Sequence, residues 1–267
     1  MKHGFVKVAA ATPDIRVADV EYNTEQICRL IDETAEEEAK VVVFPELCIT
    51  GYTCGDLFTQ DLLLENAKKG LQKIATHTGN KDGIFFIGMP LAVDGELYNV
   101  AAAVNHGHIL GFTTKTFLPN YGEFYEMRQF CAGPKEARMI SFDGKMIPFG
   151  PQILFVAEEM QSLVVAAEIC EDVWSTVPPS IQAAREGAVL IVNCSASDET
   201  IGKATYRKNL IEGQSARLLC GYIYANAGEG ESTTDVVFGG HNIIAENGTT
   251  LAMGQRFVNN VIYTEID

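Results

Sequence analysis

Ser162-Leu163-Val164-Val165-Ala166-Ala167-Glu168-Ile169-Cys170-Glu171-Asp172-Val173-Trp174 is a run of small and β-branched residues that meets a cysteine with two carboxylates directly behind it. A short continuous apolar run of this kind reads as a buried strand. A helix is expected a few residues further on. A nucleophile at the carboxyl end of a strand is held by sheet hydrogen bonds while it faces a cleft. Cysteine is also among the most buried residue types, so its position alone does not make Cys170 catalytic. The rest of the chain has to supply the argument.

On either side of that strand the pattern is β-α-β. Residues 5–11 read as a first strand, ended by Thr12-Pro13-Asp14. Asn23 with Gln26 three residues later forms a capping box, and Ile27, Leu30 and Ile31 supply the apolar stripe of the helix it opens. Val41-Val42-Val43-Phe44 is a short apolar strand halted by Pro45. Such a unit implies a right-handed crossover and parallel pairing. The middle of the chain differs: residues 84–93, 97–104 and 109–114 are strand-like, separated by Asp94-Gly95 and by His106-Gly107. Those are hairpin turns, because each glycine takes φ > 0 without penalty. After Cys170, helices over 181–186 and 205–220 alternate with strands over 188–193 and 221–225, and strands over 233–245, 249–253 and 259–264 follow. Two β-α-β regions flanking a hairpin region predict two packed sheets with helices on the outer faces, a four-layer α-β-β-α sandwich in one domain over residues 1–267.

Composition narrows the function. The chain has 267 residues, 47% of them apolar, and a formal net charge of −15, which argues against nucleic acid or an anionic membrane as partner. Seven cysteines without paired spacing suggest a reducing compartment, and the absence of any CxxC pair argues against a structural zinc. The start, Met1-Lys2-His3-Gly4-Phe5-Val6, lacks a leader's apolar run, and no segment reaches the ~20 apolar residues of a membrane span. A cytoplasmic protein is expected. The five histidines show neither metal spacing nor a Cys-His signature, and Gly213-Gln214-Ser215-Ala216-Arg217 is not a Gly-x-Ser-x-Gly elbow.

Three polar residues stand where apolar runs stop: Glu46, Lys115 and Cys170. Facing one cleft, they would suit amide hydrolysis. Glu46 would take the thiol proton, while the Lys115 ammonium would lower the thiol pKa and stabilise an oxyanion. The same residues would also serve as strand caps or as an ion pair, and residue type alone leaves both readings open.

The surrounding motifs add weight. Phe44-Pro45-Glu46-Leu47-Cys48-Ile49-Thr50-Gly51-Tyr52 resembles the first signature of the nitrilase superfamily of carbon–nitrogen hydrolases. Lys115-Thr116-Phe117-Leu118-Pro119-Asn120-Tyr121-Gly122-Glu123-Phe124-Tyr125-Glu126 resembles the second, and Glu168-Ile169-Cys170-Glu171-Asp172 the third. Together with Ser195-Ala196-Ser197-Asp198-Glu199-Thr200-Ile201-Gly202-Lys203, the forms seen here are most similar to the glutaminase domains of glutamine-dependent NAD synthetases. The resemblance covers essentially the whole chain. It implies a Glu46-Lys115-Cys170 triad, with Glu123 as a further carboxylate that orients Lys115. It implies a glutamine pocket in which Glu171 binds the α-ammonium and Lys203 the α-carboxylate, with Tyr121, Phe124 and Ser197 completing it. Lys203 departs from the arginine expected in relatives, and a lysine offers a point charge instead of a bidentate fork.

The resemblance further implies L-glutamine as substrate, a NAD synthetase domain as partner in cis or in trans, and a homo-oligomer. No Ser-Gly-Gly-x-Asp-Ser or Walker-type phosphate loop is present, since Phe238-Gly239-Gly240-His241 lacks its serines and acidic residue. The synthetase domain is therefore expected to lie outside this chain, and ATP and Mg with it. Neither metal nor organic cofactor is expected for the thiol chemistry itself. Two other readings compete: a free-standing amidase or carbamoylase acting on another small amide, and a non-catalytic scaffold. Retention of all three triad residues speaks against the scaffold, and the Glu171–Lys203 charge pair favours glutamine over a neutral amide.

Overall fold

The computed structural model describes residues 4–267. Met1, Lys2 and His3, part of the stretch read above as lacking a leader, lie outside the described residues. The chain opens with β1 (Val6–Ala11), α1 (Val20–Glu36), β2 (Val41–Val43) and α2 (Asp61–His77). A meander follows of β3 (Ile84–Val93), β4 (Glu96–Asn105) and β5 (His108–Thr114), then β6 (Arg138–Phe142), β7 (Lys145–Gly150) and β8 (Leu154–Val156). The second half holds β9 (Val164–Ile169), α3 (Glu171–Trp174), α4 (Pro179–Arg185), β10 (Leu190–Ser195) and α5 (Lys203–Leu218). It ends with β11 (Gly221–Asn226), β12 (Ile243–Glu246), β13 (Thr249–Met253) and β14 (Val261–Ile266).

These strands form an eight-stranded sheet, ordered β14-β1-β2-β3-β4-β5-β7-β6, and a six-stranded sheet, ordered β13-β12-β11-β10-β9-β8. The period of two in β1 shows how the layers arise. Val6, Val8 and Ala10 pack between the sheets against Ile169, Val192 and Ile223. Ala9 and Ala11 face the other way, into the layer that holds Ile27 and Ile31 of α1 and Leu71 and Ile74 of α2. A third core seats Ile211 of α5 and Ala183 of α4 on Ile191, Tyr222 and Ile243. The result is the expected α-β-β-α sandwich.

Both predicted hairpins form as two-residue turns. Asp94 (φ 53°) and Gly95 (φ 83°) join the Val93–Glu96 pair, while His106 (φ 45°) and Gly107 (φ 81°) join Asn105–His108. Positive φ at both central positions is the twist that matches two antiparallel strands. The β1–β2 pairing is parallel, as the β-α-β pattern requires.

Two local expectations are corrected. Helix α1 begins before Asn23: Asp19 is its cap, its side chain accepting the Tyr22 N–H. Asn23 is instead buried and ties the loop ahead of the helix, donating to the carbonyls of Arg16 and Ile49. The strand expected over 233–245 forms only as Ile243–Glu246. The residues before it are irregular, and Ser232, Thr234 and Asp235 line a cavity there. Among the described residues, no helix is long and apolar enough to cross a membrane.

Candidate active site

The triad assembles where the carboxyl ends of strands from both sheets meet. Glu46 follows β2, Lys115 follows β5 and Cys170 follows β9. The sheets are stitched together at this point: the Glu46 N–H donates to Ser195 O at 3.3 Å, and the Ala196 N–H donates to Glu46 Oε2 at 2.9 Å. Gly88 on β3 makes room for this segment. A Cβ there would lie 2.3 Å from Pro45 O and 2.7 Å from Glu46 Cα, both backbone atoms that cannot step aside.

Lys115 is fully buried, and its Nζ donates to Glu46 Oε1 at 2.6 Å and to Glu126 Oε1 and Oε2 at 2.7 and 2.9 Å. The second carboxylate on the lysine is therefore Glu126, not Glu123. Glu123 is exposed, is absent from the lining of the cavity over Cys170, and lines an adjoining cavity of about 290 Å³ that Glu126 also lines. The reach explains the correction: the chain turns at Gly122 (φ 56°), and Glu126 starts a short 3-10 turn that brings its carboxylate inward. Tyr52 donates to Glu126 Oε1 at 2.8 Å, and Asn99 Nδ2 donates to Glu46 Oε1 at 2.6 Å.

The cluster sets two carboxyl groups against one ammonium in a dry site. Burial alone would pull Lys115 down, but Glu126 and Glu46 outweigh it and hold the ammonium well above its ordinary range. Burial pushes Glu126 up to about 7, with Lys115 pulling the other way. The Cys170 thiol is also raised, by burial first and by Glu46 second, against the opposing pull of Lys115 and Ser195. Burial and Glu46 both favour the protonated thiol form of Cys170. The expected depression of its pKa by Lys115 is present but is outweighed by desolvation.

Cys170 has φ 42° and ψ −99°, a conformation L-residues rarely adopt and one that costs on the order of 1–3 kcal/mol. Asp172 helps to hold this elbow. Its Oδ1 accepts the N–H groups of Thr116 and Phe117 at 3.0 and 2.8 Å, and its Oδ2 accepts the Ile169 N–H at 2.9 Å. One buried carboxylate thereby fastens the segment after Lys115 to the strand before Cys170.

A cavity of about 510 Å³ opens above Cys170, lined among others by Tyr121, Phe124, Glu171, Trp174, Ser197 and Lys203. Every residue expected to bind substrate therefore shares one site. Tyr121 donates to both Glu171 oxygens at 3.1 Å. Lys203 lies over the rings of Phe124 and Trp174 and forms an ion pair with Asp198, a partner the sequence reading did not anticipate. Ser197 Oγ accepts from Arg207 Nη2 at 3.2 Å. Arg207 is wholly buried and also bonds Glu199, Asp198 O and His241 Nδ1. Burial and the adjacent guanidinium lower His241 to about 4, so its ring is neutral. The sequence assigns no role to Glu126, Arg207 or Asp198, although Glu126 closes the second signature and Asp198 lies within the Ser195–Lys203 motif; Arg207 stands in no motif. Among the described residues, no group of three or more His, Cys, Asp or Glu side chains is arranged to hold a metal ion.

Comparison with known proteins gives the family. The sequence profile of carbon-nitrogen hydrolases matches residues 7–267. The glutamine-dependent NAD(+) synthetase of Mycobacterium leprae is 41% identical over 254 residues, covering 95% of this chain and 37% of that protein. Its Thermotoga maritima counterpart is 31% identical over 269 residues, 42% of its length. The chain thus spans about two fifths of these relatives. The crystal structure of the glutamine-dependent NAD(+) synthetase from Cytophaga hutchinsonii superposes with a TM-score of 0.89 at 32% identity, over 98% of this chain and 43% of that one. An amidase from Nesterenkonia sp., at 19% identity and a TM-score of 0.76 over 90% of its chain, shares the fold. By this match over nearly its whole length, the chain belongs to the carbon–nitrogen hydrolase family.

Proposed function

We propose that this chain hydrolyses the side-chain amide of L-glutamine to glutamate and ammonia through a thioester on Cys170. The ammonia would serve a synthetase domain, in cis or in trans, that uses ATP to amidate the deamido precursor of NAD. The observation that carries the reading is the distribution of charge around Cys170. A buried ammonium sits between two carboxylates near the thiol, and Glu171 and Lys203, of opposite sign, line the cavity above it. Free glutamine carries an α-ammonium and an α-carboxylate that match that second pair.

The hydrogen bonds suggest how the steps divide. Glu46 Oε1 already accepts from Lys115 and Asn99, whereas Oε2 accepts only from the Ala196 amide. Oε2 therefore keeps a lone pair for the thiol proton. As that proton moves to Glu46, the sulfur attacks the amide carbon and the carbonyl oxygen becomes an oxyanion. Two donors could serve it: Lys115 Nζ, by turning one of the three N–H groups now given to Glu46 and Glu126, and the N–H of Glu171, which opens α3 and has no acceptor within the helix. The Cys170 N–H is not available, because Asn193 Oδ1 and Cys194 O accept it at 2.9 and 3.1 Å. Glu46 then gives its proton to the amide nitrogen, the C–N bond breaks and ammonia leaves. Water, deprotonated by Glu46, attacks the thioester; the C–S bond breaks, glutamate departs and the thiol regains its proton.

Ammonia release from L-glutamine by wild type and Cys170→Ala, beside a panel of small aliphatic amides, tests the proposal. Release from glutamine that vanishes in the variant is the expected result. Turnover of neutral amides only would move the chain to the free amidases. The Asp198 partner of Lys203 favours that second reading, since the cation is already neutralised. Turnover of none, with or without an added synthetase domain, would leave a scaffold.

A further inference from the structure

Glu168 is the one polar residue of the third signature without a task in the site described above. It lies two residues before the nucleophile and is almost completely buried, yet among the described residues no cation pairs with it. Three hydrogen bonds connect it to Cys170. The Cys170 N–H donates to Asn193 Oδ1 at 2.9 Å, Asn193 Nδ2 donates to the Tyr222 hydroxyl at 3.0 Å, and Tyr222 donates to Glu168 Oε1. The other carboxylate oxygen accepts the Ser180 N–H at 2.9 Å, and Ser180 Oγ in turn accepts from Gln214 of α5 at 2.9 Å. Asn193, Tyr222, Ser180 and Gln214 are all buried.

Every donor in the chain points toward the carboxylate, so each bond polarises the next in the same sense. At its far end stands the residue with the unusual backbone. Cys194 O shares the Cys170 N–H at 3.1 Å, so losing the Asn193 acceptor leaves that one longer bond; φ is then held less firmly at 42° and the Cα–Cβ bond can swing with it. The sulfur would then leave its place beside Glu46 and Lys115.

We propose that Glu168 is a positioning residue which, through Tyr222 and Asn193, anchors the Cys170 amide, keeps that N–H out of the cleft and holds the elbow that presents the sulfur. The inference rests on the reading of Cys170 as nucleophile and is independent of which amide is cleaved.

Glu168→Gln and Tyr222→Phe in the intact chain test it. Alkylation of Cys170 by iodoacetamide is followed by peptide mass spectrometry from about pH 6 to about pH 9, beside thermal unfolding and the kcat and KM for glutamine. The expected result for Tyr222→Phe is alkylation and kcat slowed about tenfold or more, with KM within about threefold, as a displaced reacting atom requires. Glu168→Gln preserves shape and removes the charge, and is expected to act in the same direction by about threefold or more. A purely structural role would lower the unfolding temperature and leave the alkylation profile of the folded protein unchanged. Folded variants that alkylate within about twofold of wild type at every pH would overturn the proposal. If Tyr222→Phe does not fold, Glu168→Gln decides alone by the same criterion. Slowed alkylation with a wild type inert toward glutamine would uphold positioning and sink the glutaminase reading; unchanged alkylation with active wild type would do the reverse.

Discussion

Replacing Glu126 by glutamine tests the arrangement around Lys115 most directly. The side chain keeps its size, and Oε1 can still accept from Tyr52 at 2.8 Å and from Lys115 at 2.7 Å. The other oxygen, 2.9 Å from the ammonium, becomes an amide nitrogen that can only donate, so donor faces donor. One charge-assisted hydrogen bond is lost, worth about 1.5–3 kcal/mol. If Lys115 stabilises the oxyanion, most of that loss falls on the transition state. At about 1.4 kcal/mol per decade the expected fall in kcat is about 10- to 100-fold, with KM changed much less. Glu123→Gln is the matched control, because that carboxylate is exposed and is not among the groups that Lys115 Nζ bonds. It is expected to change kcat by less than about twofold. Coupled detection of ammonia gives both constants, and the unfolding curve of each variant confirms that folded protein is compared. Glu126→Gln at near wild-type kcat, or Glu123→Gln equally damaged, would refute the assignment of Glu126 as the lysine's partner.

Three further outcomes are expected. Gly88→Ala forces a methyl to within 2.4 Å of Leu47 N and 2.3 Å of Pro45 O, so it is expected to destabilise the fold by about 1–3 kcal/mol, read by denaturant unfolding, and to depress kcat by displacing Glu46. Lys203→Ala is expected to weaken glutamine binding about tenfold, measured calorimetrically on the Cys170→Ala background, while kcat in the otherwise intact enzyme moves less. The third concerns pH. Glu126 has a folded-state pKa of about 7 against an ordinary 4.5, so between those values the folded chain holds a proton that the unfolded chain has released. Its contribution to stability is complete below about pH 4.5 and is lost as pH rises through about 7. Unfolding curves across that window should fall more steeply with pH for wild type than for Glu126→Gln; parallel curves would refute the raised value.

The layers were legible because they follow from short-range patterns. Valine and alanine runs with period two, and Asp-Gly and His-Gly steps between strands, specify which face is buried and where the chain reverses. Helix α2 has no counterpart in the sequence reading: Leu63, Ala67, Leu71 and Ile74 stand at helical spacing, but the helix opens without a side-chain cap and so offers no start signal. The Asn23 capping box misled for the opposite reason. The local motif was genuine in composition, yet a buried asparagine that bonds Arg16 and Ile49 serves tertiary structure, and Asp19 took the cap.

The site shows where linear reading ends. Glu46, Lys115 and Cys170 were legible because each stops an apolar run, and a strand end has only one direction in which to face a cleft. The partners of those residues depend on loops, where chain direction is free to change. Glu123 and Glu126 differ by three residues within one signature, and only the turn at Gly122 decides which carboxylate goes inward. The same holds for Lys203. Counting charges by type suggests an open cation for a carboxylate, but Gly202 (φ 84°) starts α5 immediately above residues 198–200, and this sets Lys203 against Asp198. Buried Arg207 then holds that same loop from behind through the carbonyls of Ser197 and Asp198. On the proposed glutaminase reading, an incoming α-carboxylate would share Lys203 with Asp198 instead of finding it free. The net attraction at that end of the pocket is set by a triplet of charges, with Ser197 as the neutral donor left to orient the ligand.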